Sequence, residues 1–136
     1  MGPEVHLKFT RLWAVDEGFS EAEADLIARA DIGFDRRYPA RASFLNLTRH
    51  FAPAAWAWSA WYLDRAVRWR DLMMLGHALH CAQDAVSHGS VGEKHLVMLA
   101  GLGRNPDEWG AAPAGVKRRI EAVSRERLRR YREQRR

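Results

Sequence analysis

The stretch Leu75 to Gly89, LGHALHCAQDAVSHG, decides how this chain of 136 residues folds. Asp71 precedes it as a helix N-cap, and the pattern predicts one helix that ends near His88. At 3.6 residues per turn, the apolar residues, the histidines and the carboxylate of this helix together occupy nearly its whole circumference. A helix without a solvated face is typical of the centre of a bundle. The sequence therefore predicts an all-α fold with this helix in the middle.

The rest of the chain also shows helical patterns, and strand-type alternation is absent. Ser20 with Glu23 three residues later forms a capping-box pattern, and Gly18 is a helix stop. The other predicted helices cover about Glu4 to Asp16, Ser20 to Tyr38, Pro53 to Trp69, residues 92–102 and residues 116–136. We therefore expect a single helical bundle of five to six helices.

The composition excludes several classes of protein. With 47% apolar and 29% charged residues, the chain is an ordinary globular protein rather than a disordered one. Its uncharged runs are shorter than the roughly 20 residues of a membrane-spanning helix. No signal peptide is visible, so we expect a cytoplasmic protein. The single cysteine, Cys81, excludes an internal disulfide and a zinc site built from several cysteines.

His80, Asp84 and His88 follow one another at four-residue spacing on the predicted central helix. His80 and Asp84 lie about 6 Å apart along the axis, and can therefore hold one ion together. An economical arrangement places Asp84 between two ions, one shared with His80 and the other with His88. His77 is expected to orient this site. Imidazole and carboxylate ligands suit zinc, iron or manganese, although structural histidines and a general-base cluster remain alternatives.

More distant residues complete a resemblance to a known family. They are His6 in the first helix, Asp35 near the end of the second, and the dipeptide His50-Phe51 some fifteen residues later. Together with Leu75-Gly76, His80, Asp84 and His88, this pattern resembles the zinc-dependent phospholipase C family and the related single-strand-specific zinc nucleases. The resemblance covers most of residues 4–109 and implies the same helical fold.

The resemblance also implies a set of metal ligands. Asp35, His50, His80 and Asp84 would surround a first metal ion. His88 and His95 would hold a second ion, and His6 with Asp84 would face a third. Leu99 stands where the family has a glutamate, so Glu93 or Asp107 would have to complete the second site. We expect one to two zinc ions, and a third ion would occupy the position next to His6. Iron and manganese are alternatives to zinc.

The function that follows is that of a metal-dependent phosphoesterase. Metal-activated water would attack a phosphodiester or a phospholipid headgroup, and Asp35 would act on that water as a ligand or as the general base. Motifs of metalloproteases, serine hydrolases and P-loop proteins are absent from the sequence. The alternative is a non-catalytic binding module whose helices are stabilised by metal.

The basic end of the chain forms the last predicted element. Residues 116–136 hold ten Lys or Arg and three Glu, a charge of +7, whereas the whole chain has a net charge of +5. We expect residues 1–115 to form the metal-binding domain and the basic helix to dock on it. Weak, non-specific contacts with anionic partners would follow, and deletion of residues 125–136 would leave the metal content unchanged. The residues expected on its packing face are Val116, Ile120, Val123, Leu128 and Tyr131.

Four tryptophans on the predicted helix from Pro53 to Trp69 allow two interpretations. They are interleaved with Ala and Ser, and mixing large with small residues favours packing in the core or at its rim. Aromatic side chains that stack on a ligand are the alternative. The residues concerned are Trp56, Trp58, Trp61 and Trp69.

Overall fold

Six helices make up the described part of the chain, and no residue of that part belongs to a β-strand. The structure is a computed structural model that describes residues 2–89, 105 and 107–135. Helix α1 begins as a π-helix over Glu4–Phe9 and continues as an α-helix over Thr10–Asp16. The other helices are α2 (Glu21–Arg37), α3 (Phe44–Thr48), α4 (Ala54–Trp69), α5 (Leu72–His88) and α6 (Ala114–Gln134). The predicted all-α bundle is confirmed, while the helix expected over residues 92–102 lies outside the described residues.

Helix α5 occupies the centre of this bundle. Every residue from Leu75 to His88 is buried, and α2, α4 and α6 pack around the helix. The Asp71 carboxylate caps it by accepting hydrogen bonds from the amides of Met73 (2.7 Å) and Met74 (3.2 Å). Among the described helices, none has the length and apolar character that crossing a membrane requires.

The predicted helix boundaries are confirmed where a capping or stop residue marks them in the sequence. The Ser20 and Glu23 side chains form the expected capping box, and Gly18 ends α1 at a φ of 86°. The sequence prediction missed α3, which it treated as loop. Ser43 caps that helix by accepting a hydrogen bond from the Asn46 amide, and none of its residues is buried. Without a buried face, α3 has no apolar periodicity that a sequence pattern could reveal.

Gly76 allows α5 to lie unusually close to α2. A Cβ atom at this position would be 2.5 Å from the Ile27 carbonyl oxygen and 2.9 Å from the Asp31 amide nitrogen. Only glycine fits such an approach without moving one of the two helices. The close contact places the inner face of α2 directly against the histidines and the carboxylate of α5.

Helix α6 contributes to the same core as the other helices. Ile120, Leu128 and Tyr131 are completely buried, while Val116 and Val123 are half-buried against the core. The predicted packing face is therefore confirmed. The tryptophans divide: Trp56 and Trp58 pack against the core, whereas the exposed fractions of Trp61 and Trp69 are 40% and 58%. The packing interpretation is therefore wrong for Trp61 and Trp69, which are exposed and lie outside the core cluster.

Candidate metal centre

Four side chains from three parts of the chain bring one polar atom each to a common point. They are Asp35 from α2, His50 from the loop after α3, and His80 and Asp84 from α5. His80 Nε2 lies 3.2 Å from Asp35 Oδ1 and 3.1 Å from Asp84 Oδ2. His50 Nδ1 lies 2.9 Å from Asp84 Oδ2, 3.5 Å from Asp35 Oδ1 and 3.4 Å from His80 Nε2. The structure thus brings together the four residues that the sequence assigned to a first metal ion.

The outer nitrogen of each imidazole identifies its tautomer. His80 Nδ1 lies 2.9 Å from the carbonyl oxygen of Asp31, and His50 Nε2 lies 2.8 Å from that of Tyr38. A carbonyl oxygen only accepts hydrogen bonds, so each of these nitrogens carries a hydrogen and donates it. In the neutral imidazoles, His80 Nε2 and His50 Nδ1 therefore present lone pairs to each other and to two carboxylate oxygens. Such a meeting of four acceptors requires a proton or a cation between them.

Burial opposes charge on the side chains of this cluster, so the charges that remain must compensate one another. The side chains of His50, His80 and Asp84 are at most 3% exposed, whereas that of Asp35 is 57% exposed. Burial opposes the charge on His80, but Asp84, Asp31 and Asp35 outweigh it and raise the His80 pKa well above its ordinary value. Burial likewise opposes ionisation of Asp84, yet the positive charge of His80 helps to hold the Asp84 pKa well below its usual range. A proton therefore competes with any metal ion for these groups.

The distances in the cluster suit a small transition-metal ion. A tetrahedral zinc ion with bonds of about 2.0–2.1 Å separates its ligand atoms by about 3.3 Å. The five distances given above run from 2.9 to 3.5 Å around that value. Both histidines also donate their other ring hydrogen to a carbonyl group, which is the usual way in which proteins orient a metal-binding imidazole. The residues therefore fit a divalent ion such as zinc.

Aromatic rings hold the histidines in place. The Phe34 ring packs against His80 and His50, with ring centroids 4.6 and 5.7 Å away. Next to His50, the Arg49 guanidinium lies between the rings of Tyr38 and Trp58, 4.5 and 4.3 Å from their centroids. These contacts fix the loop that carries His50 against α2 and α4.

A second group of potential ligands lies behind the first and consists of His6, Asp31 and His80. His6 Nδ1 is 2.7 Å from Asp31 Oδ1 and 2.7 Å from Gln83 Oε1, so this nitrogen is also a donor. His80 Nδ1 already donates to the Asp31 carbonyl. Because both nitrogens that face the Asp31 carboxylate carry hydrogens, neither of these two atoms can be a metal ligand, and Asp31 supports the histidines instead. The other ring nitrogen of His6, Nε2, faces Asp84 Oδ1.

A chain of polar contacts anchors that support to two further helices. Thr10 on α1 donates to Asp31 Oδ2 at 2.6 Å. The Gln83 side-chain amide donates to the Thr10 hydroxyl at 2.9 Å and to the Ser124 hydroxyl on α6 at 3.1 Å. The sequence analysis assigned no role to Asp31 and missed Gln83. The spacing of Gln83, three residues after His80, is the signal that places it on the same side of α5.

The remaining predicted ligands have different positions. His6 Nε2 lies 3.5 Å from Asp84 Oδ1, so the pair expected to face a third ion is in proximity. His88 Nε2 is 2.7 Å from Asp107 Oδ1, a contact with one of the two acids proposed to complete the second site. His77 belongs to neither ligand group and packs against the rings of Phe34, Tyr38 and Tyr62. His95 and Glu93 lie outside the described residues.

Comparison with protein-family models, with curated proteins and with solved structures finds no match to this chain. The arrangement of these side chains is therefore the basis on which its function is proposed.

Proposed function

We propose that this chain binds a divalent transition-metal ion, zinc in the first instance, and acts with it as a phosphoester hydrolase. The ligands are Asp35, His50, His80 and Asp84. The observation that carries the proposal is the convergence of four acceptor atoms while the outer nitrogen of each imidazole is committed to a carbonyl group. Iron and manganese suit the same ligand types, because no thiolate takes part.

The number of ions follows from how Asp84 is used. Its Oδ2 atom faces His50 and His80, while its Oδ1 atom faces His6 Nε2 at 3.5 Å. A carboxylate in this position suits a bridge between two ions. We propose one ion in the four-residue site and a second, weaker ion near His6 or near the pair of His88 and Asp107.

Catalysis, rather than a purely structural role, is favoured by the exposure of Asp35. Its side chain is 57% exposed, whereas the other three ligands are buried, so within the described part of the chain solvent and substrate reach the site at Asp35. A divalent ion supplies Lewis acidity toward a phosphoryl oxygen and lowers the pKa of a water molecule. Asp35 would leave the ion and accept the proton of the water that attacks phosphorus, and the departing alkoxide would take a proton from solvent. His50, His80 and Asp84 would stay fixed by their hydrogen bonds. The substrate class is a small phosphodiester or a phospholipid headgroup.

A metal-stabilised binding module is the second candidate function. Four protein ligands complete a tetrahedron, and closed four-ligand sites are typical of structural zinc. In that case Asp35 remains bound throughout, and the ion only ties α2, α5 and the His50 loop together.

Hydrolysis of bis(4-nitrophenyl) phosphate by the zinc-loaded protein distinguishes these candidates. We expect hydrolysis that a chelator abolishes and added zinc restores. Asp35→Asn should reduce the rate by about 100-fold or more, as loss of a general base does. Asp64→Asn removes an exposed carboxylate on α4 and should leave the rate unchanged. Full zinc content without chelator-sensitive hydrolysis would contradict the hydrolase and support the binding module.

Weak contacts with anionic partners through α6 are part of the proposal. Several of its arginines are paired, since Arg125 contacts Asp16, Glu17 and Glu121, and Arg135 contacts Glu23. Such pairing reduces the positive charge available to a partner, so any binding should be weak and should decrease steeply with salt. A cytoplasmic location remains a prediction from the sequence.

A further inference from the structure

A cavity of about 720 Å³ lies between α2 and the junction of α4 with α5. Its volume falls within the range of about 300–1,000 Å³ that small-molecule sites have. Apolar side chains form much of its wall, and three of them are well exposed: Leu26 and Trp69 at 58% each and Met73 at 49%. In a folded protein, a group of large apolar side chains is ordinarily covered. Because these three are exposed at the same cavity, the cavity suits a ligand that has an apolar portion.

The cavity lies on the side of α2 that faces away from the candidate metal centre. Gly33 and Arg37, one turn apart on α2, line the cavity. Asp35 stands between them in sequence and projects about 200° around the helix from Gly33, toward the metal ligands. The two sites therefore use different faces of α2, and a ligand in the cavity is separate from the metal centre.

Three arginines give the cavity a positive charge. Arg29, Arg37 and Arg70 line it, and in the described part of the chain no carboxylate lies within 4 Å of their guanidinium groups. Asp71 also lines the cavity, and its Oδ1 atom accepts hydrogen bonds from the amides of Met73 and Met74 at the start of α5. Arg70 also has a φ of 53°, a left-handed conformation at the end of α4 that favours glycine or asparagine. An arginine therefore occupies a position whose backbone conformation is unfavourable for it.

We infer that this cavity binds a small amphipathic anion. Its acidic head group, a phosphate or a carboxylate, is bound by the guanidinium groups of Arg29, Arg37 and Arg70. Its apolar body packs against Leu26, Trp69 and Met73. Guanidinium groups pair with both kinds of head group through two parallel hydrogen bonds, so the chemistry of the site is the same for either.

Calorimetric titration with octyl phosphate, octanoate, octanol and inorganic phosphate tests the site, with each amphiphile kept below its micelle concentration. We expect octyl phosphate or octanoate to bind at least about tenfold more tightly than octanol and inorganic phosphate. The stronger of the two anions identifies the head group. Equal binding of octanol, absence of binding, or binding to anionic vesicles alone would overturn the proposal.

Two pairs of variants locate any binding that is found. Arg37→Gln should weaken it by about tenfold, whereas Arg36→Gln, the neighbouring exposed arginine outside the cavity, should not change it. No described atom lies within 4 Å of a Cβ added at Gly33, so a side chain can begin there without a clash. Gly33→Leu should fill the cavity and abolish binding while zinc content stays unchanged, and Gly33→Ala should retain binding. Binding that survives Gly33→Leu would place the ligand elsewhere and overturn the proposal.

Discussion

Hydrogens on ring nitrogens determine what the central cluster can do. The outer nitrogens of His50 and His80 donate to carbonyl groups, and their inner nitrogens are therefore available as ligands. His6 Nδ1 donates to Gln83 Oε1 and lies 2.7 Å from Asp31 Oδ1, so this nitrogen belongs to the supporting layer. Residues of the same type, within a few ångströms of one another, thus have different roles because their neighbours differ.

His77 lies close to this cluster, and its protonation should affect the stability of the fold. Burial, Arg37 and His80 lower its pKa to about 4, while Asp71 and Asp31 oppose that effect. The ordinary value near 6.5 applies in the unfolded chain, so the unfolded chain binds the proton first as the pH falls. The stability associated with neutral His77 is present above pH 6.5 and is lost between pH 6.5 and 4.

Urea unfolding of the metal-free protein across this pH range measures the effect. His77→Gln should make the free energy of unfolding less pH-dependent between pH 6.5 and 4, by up to about 1.4 kcal/mol per pH unit, which corresponds to one proton. Parallel curves for the two proteins would contradict a lowered pKa of His77.

Sequence reasoning found the four converging residues by two different routes. Helical spacing alone places His80 and Asp84 together, because they are one turn apart on α5. Asp35 and His50 came from the family resemblance, since no local pattern shows which distant residue will meet a helix. The roles of Gln83 and Thr10 could not be predicted, because they depend on which hydroxyl and amide groups three helices bring together.

At the scale of elements, the packing of α2 on α5 positions the site. Gly76 sets the distance between the two helices, and the carbonyl of Asp31 can reach His80 because that distance is short. The helices themselves were predictable from caps and stop residues such as Ser20, Asp71 and Gly18. The helix that begins at Glu4 was predicted, but its π-helical geometry was not. The helix α3 was missed because none of its residues is buried.

Gly76→Ala should separate α2 from α5. The added methyl group would meet the backbone of Ile27 and Asp31 at 2.5 and 2.9 Å, and overpacking of this kind destabilises proteins by roughly 1–3 kcal/mol. We expect a lower free energy of unfolding in urea and weaker zinc binding.

Gly33→Ala is the matched control, because it adds the same methyl group to open space in α2. It should be neutral or stabilising by up to about 1 kcal/mol, as glycine is a poor helix former. Equal effects of the two substitutions would show that the close approach at Gly76 does not limit stability.

At the scale of the whole molecule, the basic helix α6 is part of the core. Its charge suggested a tail that the metal-binding domain could lose, but Leu128 and Tyr131 are completely buried, and Ser124 accepts a hydrogen bond from Gln83 on α5. The net charge of a helix reflects the residues on its exposed face. When most residues of a helix are charged, the net charge gives no sign of the few apolar residues that are buried on the opposite face. The sequence analysis identified the apolar face of α6 and underestimated its importance.

Deletion of residues 125–136 should therefore destabilise the whole bundle. The truncation removes two completely buried side chains, and loss of a single large core side chain already costs about 2–5 kcal/mol. We expect loss of cooperative thermal unfolding by circular dichroism, together with loss of metal binding. Deletion of residues 133–136 alone removes only chain beyond Tyr131 and should have little effect. An unchanged unfolding midpoint after the longer deletion would contradict the position of α6 in the core.

The zinc content per chain tests the central claim most directly. The protein would be equilibrated with zinc at neutral pH, freed of excess metal by gel filtration and examined by elemental analysis beside His80→Gln and His77→Gln. Both substitutions replace a buried histidine of α5, but only His80 belongs to the four-residue cluster. We predict at least one zinc per chain in the unmodified protein and in His77→Gln, and a large loss in His80→Gln. A ratio well below one in the unmodified protein, or equal retention by both variants, would contradict a metal centre at this position.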